Sequence, residues 1–495
     1  MADSFQPPTV MPPPPVIPLD PASLQAAGQR MLENGRRGFF GTTFKLFSVG
    51  FLVLLLLIPV FMINSLLTER QSRRDGAVKE ITSMWGDAQE VVGPVLMVPY
   101  RAPVKVVRQE RVNGRMESVE VEEMKTVTAF FLPERLEADG SLLPELRRRG
   151  IYEAVLYRGS LTLSGVFRRP SLDEWKVKPE QILWDDAVVV FAVSDLRGVD
   201  GSLSVNWDGK NLPFTPGCKL PGFKSGLTAS LRNAGLAQGQ QGTIPFNLKF
   251  GFNGSREIRL APLGAQTEAK LAAPWADPKF IGTVAPDSRE IGTDRFTAKW
   301  KVSGFSRSYP QQWSGAGDGC VSGEDIRSSM FGVALLNLVD VYREVERVLK
   351  YAILFIVLVF STFFLFEVTG RLRIHPVQYI LVGAALCLFY LGLLALSEVV
   401  SFGKAYLIGA AAATSLIGFY STGVLKSGTR GGLLTGGLAL VYGFLYVVLQ
   451  LQDFSLLMGT AGLFILLAAI MAATRKTDWY ARDAAQAPPA AKLNP

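Results

Sequence analysis

The chain has 495 residues, 48% hydrophobic and 19% charged, and that low charge points to membrane-embedded length. The net charge of +8 is no nucleic-acid signature: residues 68–347 hold 37 basic and 35 acidic side chains, and the membrane-flanking remainder holds 14 and 8. One histidine and three cysteines exclude most protein-built zinc sites, which draw on several such ligands.

In chain order, residues 1–25 come first and are Pro-rich, with PPTVMPPPPVIPLDP holding eight prolines in fifteen positions. Missing backbone donors and a fixed φ favour extended chain, so residues 1–43 read as a disordered cytoplasmic tail with a basic flank. The first uncharged gap, Lys45 to Glu69, encloses 23 residues including FLVLLLLIPVFMI. That length matches a bilayer core of about 30 Å, which takes roughly 20 apolar residues. It starts too far into the chain for a cleaved signal peptide and lacks a small-residue cleavage site, so 44–67 is a retained signal anchor.

Residues 68–347 read as one large, mostly antiparallel β-domain, sandwich-like or barrel-like. Runs such as YEAVLYRGSLTLSGVF, DDAVVVFAVSDL and TIPFNLKFGFNGSREIRLAPL are β-branched and aromatic, punctuated by Gly, Pro, Asn and Asp. Alternation is plain in Phe246, Leu248, Phe250 and Phe252. At the domain's two ends the spacing turns helical, in Val78, Ile81 and Trp85 and again in Leu338, Val341, Val345 and Val348. The expectation is a helical stalk at each end. No glycine or proline lies between Leu338 and Phe366, so the second stalk should run unbroken into the next span.

Within this domain Asp185–Asp186 and the stretch GAGDGC ending at Cys320 lack the spacing of a calcium loop or a P-loop, and read as turns. Cys218 and Cys320 both fall here, and an oxidising compartment permits a bridge between them; spacing alone does not decide it.

Five further uncharged gaps follow, of 16, 22, 21, 22 and 21 residues, between Lys350 and Arg475. The fold class is therefore a multi-pass α-helical membrane protein of six spans with a large external β-domain; residues 348–474 form a five-helix bundle and 475–495 a cytoplasmic tail. Lys and Arg cluster at Arg30, Arg36, Arg37 and Lys45, at Arg371 and Arg373, at Lys426 and Arg430, and at Arg475 and Lys476. The positive-inside rule then puts both termini in the cytoplasm and residues 68–347 outside.

Chemistry is hard to assemble from these residues. Ionisable side chains near the spans, including Glu367, His375, Glu398 and Lys404, sit at gap edges, which argues against proton coupling. Ser421 is not in a Gly-x-Ser-x-Gly setting, and the sixth span holds no histidine to act as its base. No catalytic, cofactor-binding or metal-binding residue is assigned.

Several stretches resemble the CreD family of bacterial inner-membrane proteins. They are GPVLMVPY at 93–100, NGSREIRLAPLG at 253–264, FIGTVAPDSREI from 280, and the long run from FGVALLNLVDVYREVERVLK to LGLLALSE at 331–398. The resemblance extends from about Gly93 to the last span and excludes the Pro-rich tail. It implies a bacterial cell inner-membrane location, a role in envelope integrity or envelope stress, and no catalytic residues. The resulting expectation is a non-enzymatic membrane protein, in contact with lipid, whose periplasmic β-domain binds an unknown envelope partner and not nucleic acid. The rival is a transporter or lipid-handling protein that uses the small residues and hydroxyls of GAAAATS and TGGLALVYG in its bundle.

Overall fold

The computed structural model describes residues 21–112, 115–199, 203–232, 234–236, 242–315, 320–335, 341–370, 374–451 and 454–475. The Pro-rich start and most of the C-terminal tail lie outside them. Two compact units emerge, residues 70–340 and, separately, residues 1–69 with 341–495.

Helix α1 (Pro21–Trp85) begins within the stretch that composition assigns to the tail. Proline is tolerated in a first helical turn, and the following ASLQAAGQRMLEN is rich in helix formers, which outweighs the Pro-rich context before it. The end of α1 belongs to the first unit. There the Trp85 indole donates to the Tyr157 carbonyl at 3.2 Å. The guanidinium groups of Arg147 and Arg158 lie 4.4 Å and 5.4 Å from its ring, and Glu80 pairs with Arg149.

The strands of this unit are β1 (Gln89–Val112), β2 (Arg115–Phe131), β3 (Arg135–Arg149), β4 (Tyr152–Arg168), β5 (Val188–Val193), β6 (Ser204–Trp207), β7 (Lys210–Pro216) and β8 (Gly226–Ser230). They continue as β9 (Thr243–Ser255), β10 (Glu257–Leu260), β11 (Gln266–Ala273), β12 (Pro278–Gly282), β13 (Ser288–Ile291), β14 (Phe296–Ser303) and β15 (Gln312–Ser314). A short helix α2 (Gly323–Ser328) precedes β16 (Phe331–Leu335). Hydrogen bonding links them in one path from β12 through β16, β10, β1, β5, β8, β7, β6, β9, β4, β3, β11 and β14 to β13, with β2 and β15 branching from β1. Among the described residues only the β1–β10 and β3–β11 pairs are parallel.

The path folds into two facing layers because β7 turns a corner. Its first half pairs with β6 and its last three residues pair with β8. Rings then meet across the interior, Phe191 of β5 at 5.0 Å from Phe250 of β9, and Trp300 of β14 at 5.4 Å from Phe331 of β16. The period-2 pattern sets which residues go inward: Ile244, Phe246, Leu248, Phe250 and Phe252 are buried. Each such side chain contributes about 1.5–3 kcal/mol by leaving water. The architecture is thus a sandwich; the mostly antiparallel pairing is the expected one, and of the two forms left open, sandwich and barrel, the first is the one that forms.

The second unit is helical, with α3 (Val341–Lys350), α4 (Ala352–Gly370), α5 (Pro376–Ser397), α6 (Phe402–Val424), α7 (Gly428–Gln450) and α8 (Ser455–Thr474). Among the described residues four helices are long and apolar enough to cross a membrane, α1 from Phe47 onward, α5, α6 and α7, and α3 with α4 makes a bent fifth. That is four spans, or five with the bent pair, against the six expected; α8, a 20-residue apolar helix at the position of the expected sixth, is not among them. On α1, Leu52, Leu56, Val60, Ile63 and Leu67 form a buried stripe at helical spacing, while Phe51, Leu54, Ile58 and Phe61 are exposed. Gly383 of α5 admits this stripe; a Cβ there would stand 2.1 Å from Leu56 Cδ1.

The unbroken second stalk is not what forms. The chain bends by 43° between α3 and α4, although no glycine or proline is present. At the break the Tyr351 amide bonds to the Val348 carbonyl, an i→i−3 closure that tightens the turn. The cause is tertiary. Tyr342, Val345, Val348 and Leu349 are buried, and α3 packs on α5 and α7, so its amphipathic face docks it on the bundle while α4, apolar all round, runs among the other helices. Residues 341–347 therefore belong to the helical unit, not to the β-domain.

Candidate functional site

Sequence stretches far apart in the chain meet at one end of the sandwich. GPVLMVPY lies in β1, NGSREIRLAPLG runs through β10, FIGTVAPDSREI covers β12 and β13, and FGVAL is β16. Of these strands β1, β10, β16 and β12 are neighbours, with Gln89 opposite Ile258, Ile258 opposite Val333, and Ile281 opposite Gly332, whereas β13 pairs with β14 at the other end of the path. Beside them is a groove of about 460 Å³, lined by Glu90, Arg259, Gly282, Thr283, Glu324 and Arg327, among others.

Each lining side chain is held by a local cause. Arg327, on α2, pairs with Glu90 at 3.1 Å, donates to the Gly222 carbonyl at 2.9 Å, and stacks 4.6 Å from the Phe223 ring. Helix α2 is fixed by a capping box in which Ser322 and Asp325 exchange hydrogen bonds. The Ser322 hydroxyl and amide hold the Asp325 carboxyl below its usual range. Arg259 pairs with Glu257 at 3.0 Å, but its Nε is buried with no acceptor. Thr283 donates to the Ser328 carbonyl at 2.8 Å. The groove thus offers a partly exposed guanidinium whose Nε is buried without an acceptor, and paired charges of both signs. Such a set can bind an acceptor-rich polar group; it offers no nucleophile beside a base.

A second groove, of about 550 Å³, contains Asp185, Asp186, Cys218, Lys219 and Arg232 among its lining residues. The two aspartates sit in a 3-10 turn ahead of β5, and Arg232 reaches Asp186 only at 3.9 Å. Cys218 is half-buried and burial pushes its thiol up, so it is no thiolate nucleophile. Cys320 is exposed, and both thiols are free. Their chain segments touch nearby, since a Cβ on Gly222 would fall 2.8 Å from the Gly323 Cα. Residues 316–319, the core of GAGDGC, lie outside the described residues. Among the described residues no group of His, Cys, Asp and Glu is placed to hold a metal ion.

In the bundle His375 and Ser421 each have a structural partner. His375 is the N-cap of α5, its Nδ1 accepting from the Val377 amide at 3.3 Å while the His375 amide donates to the Gln378 Oε1 at 3.0 Å. The spacing His-Pro-x-Gln, with Pro at the first helical position, was a readable signal for that cap. Ser421 is buried and donates to the Ile417 carbonyl at 2.6 Å. Sequence reasoning passed over Arg259 and Arg327, whose types are too common to stand out, and the buried tyrosines of α5, α6 and α7.

These features define a class: a multi-helix membrane protein carrying a mostly antiparallel β-sandwich with a polar groove. Residues 41–480 match the family described as "Inner membrane protein CreD". The chain is also 32% identical over 429 residues to "Inner membrane protein CreD" of Escherichia coli (strain K12), covering 87% of this chain and 92% of that relative. The chain belongs to the CreD family and is an inner-membrane protein.

Proposed function

We propose that this protein supports cell envelope integrity or the envelope stress response without catalysis, and that its β-sandwich binds an envelope component in the groove beside Arg259. The observation that carries the reading is the buried Arg259 Nε without an acceptor, at the groove where the family-like strands converge. An arginine so placed is under-satisfied until a partner brings an oxygen. In this reading both termini are cytoplasmic, six helices span the membrane, and the sandwich faces the periplasm; the distribution of Lys and Arg in the short loops supports that orientation. Cys218 and Cys320 then lie in an oxidising compartment, and the contact of Gly222 with Gly323 supports a bridge between their segments.

The test uses full-length protein in its native membrane with a photo-crosslinking side chain at position 283. An adduct is expected there and not at the exposed Lys249 of β9. Arg259→Ala should abolish it while leaving expression and protease resistance unchanged. Equal adducts at both positions, or an adduct indifferent to Arg259→Ala, would count against the groove.

A further inference from the structure

Four helices of the bundle converge on a knot of aromatic rings. Phe389 of α5 is at its centre, with ring centroids 5.0 Å from Tyr390, 5.6 Å from Tyr406 of α6 and 4.7 Å from Tyr442 of α7. Phe355 of α4 closes it, 4.6 Å from Tyr442. The three hydroxyls differ in their partners. Tyr406 donates to the Tyr442 carbonyl at 2.8 Å. Those of Tyr390, 0% exposed, and Tyr442, 3% exposed, have no hydrogen-bond partner among the described residues.

Packing alone does not account for these oxygens. Phenylalanine would fill the same volume, as it does at Phe355 and Phe389, without burying a donor that lacks an acceptor. In a bilayer the penalty persists, because hydrocarbon supplies no substitute. Leu391, next to Tyr390 in α5, and Leu440 and Phe444, flanking Tyr442 in α7, are exposed. A helix turns by about 100° per residue, so these neighbours point away from the knot, and α5 and α7 each carry the knot on one face and an exposed apolar surface on another. No charged residue takes part in its ring contacts or hydrogen bonds.

We propose that the Tyr390 and Tyr442 hydroxyls hold an uncharged oxygen-bearing guest inside the bundle. The guest's oxygen accepts from one or both phenols, and it comes either from a lipid ester or hydroxyl group or from a trapped water. The site is independent of the groove in the β-sandwich, and its failure leaves that reading intact.

The experiment compares full-length wild-type protein, extracted from native membranes in mild detergent, with the double variant Tyr390→Phe/Tyr442→Phe. Tyr446→Phe, on the same helix, is the control. Native mass spectrometry reads retained lipid, and thermal unfolding reads stability. A lipid adduct lost only in the double variant assigns the guest oxygen to lipid. Unchanged adducts with a Tm several degrees lower than both wild type and control assign it to water. Unchanged adducts with a Tm equal to or above wild type overturn the proposal, since that is how deleting two unsatisfied hydroxyls behaves. Where the double variant fails to accumulate, the two single variants, each lacking one oxygen atom, carry the same readouts.

Discussion

Gly282 ends β12 at the edge of the polar groove, and replacing it with alanine tests whether the groove's backbone is as tightly determined as its geometry implies. Its φ is +104°, a region that L side chains rarely adopt, and an alanine Cβ would stand 2.1 Å from the Met330 carbonyl oxygen and 2.6 Å from the Phe331 Cα. A carbon beside a carbonyl oxygen needs roughly 3.3 Å. The same oxygen accepts from the Thr283 amide at 3.1 Å, so moving it away also weakens that bond. The unfavourable φ costs about 1–3 kcal/mol, and the compromised hydrogen bond about 1 kcal/mol more. A total of about 3 kcal/mol should lower the melting temperature of a domain this size by roughly 6–12 °C. Every tryptophan but Trp479 lies between Trp85 and Trp313, so intrinsic fluorescence follows the sandwich specifically. Gly209 in the β6–β7 turn supplies the control, since its φ is +79° but nothing lies within 4 Å of an added Cβ. Gly209→Ala should therefore cost only the backbone part, about 1–2 kcal/mol. If Gly282→Ala melts within a degree of wild type, or no lower than Gly209→Ala, the clash with β16 is not real and the groove edge is looser than described.

Asp195 should make a pH-dependent contribution to the sandwich. Burial raises its pKa, but hydrogen bonds from the Arg197 side chain and from the Arg197 and Asp87 amides outweigh that and hold it below its ordinary 3.8. A depressed folded-state pKa means stabilisation present above the unfolded value and lost as pH falls through the folded one. Asp195→Asn should thus be less stable than wild type at neutral pH, and the gap should close below 3.8 in a pH series of melts; a constant gap would refute the linkage. At the start of α5, His375→Ala should cost about 0.5–2 kcal/mol of bundle stability, and His375→Asn should recover most of it. Equal loss in both variants would show that the imidazole does more than cap. Val345→Ala, on the buried face of α3, should cost about 1–2.5 kcal/mol when helical signal is followed on heating, and Glu346→Ala close to nothing. Indifference at Val345 would mean that α3 is not docked on the bundle.

Helix lengths were legible because hydrocarbon thickness imposes them. The gaps between charged residues put α5, α6 and α7 within a few residues of where they lie. The alternation in β9 was legible for a similar reason, since the two faces of a strand meet different surroundings. The bend at Tyr351 was not. A search for glycine and proline finds local breakers, whereas this break comes from α3 having a better partner on α5 and α7 than in a straight continuation. Sandwich could not be told from barrel either, because closure turns on β7 changing partners midway through seven residues. The groove is hidden still more deeply. Glu90, Arg259, Thr283 and Arg327 are brought together by strand order, and charged or hydroxyl residues in β-rich sequence ordinarily mark a solvated face.

Glu367 shows where reading charge along a sequence loses its physical meaning. It lies at the edge of an uncharged gap, the position expected of a side chain that reaches water, yet it is only 6% exposed. Its carboxylate accepts from the Ile374 amide at 3.3 Å and from the Tyr379 hydroxyl at 3.2 Å. The Tyr379 ring is in turn set by Phe360 and Phe363 of α4, at 5.4 Å and 6.0 Å. A buried acidic group in a membrane protein is by default a candidate for carrying protons. Here its oxygens accept from two donors at the connection between consecutive helices, and α5 begins with its own cap at His375 one residue after Ile374. Carboxylate, phenol and imidazole together fix how α4 hands over to α5. The geometry at Glu367 is that of a helix joint, with one carboxylate receiving the first residue after the connection and the first turn of α5 together.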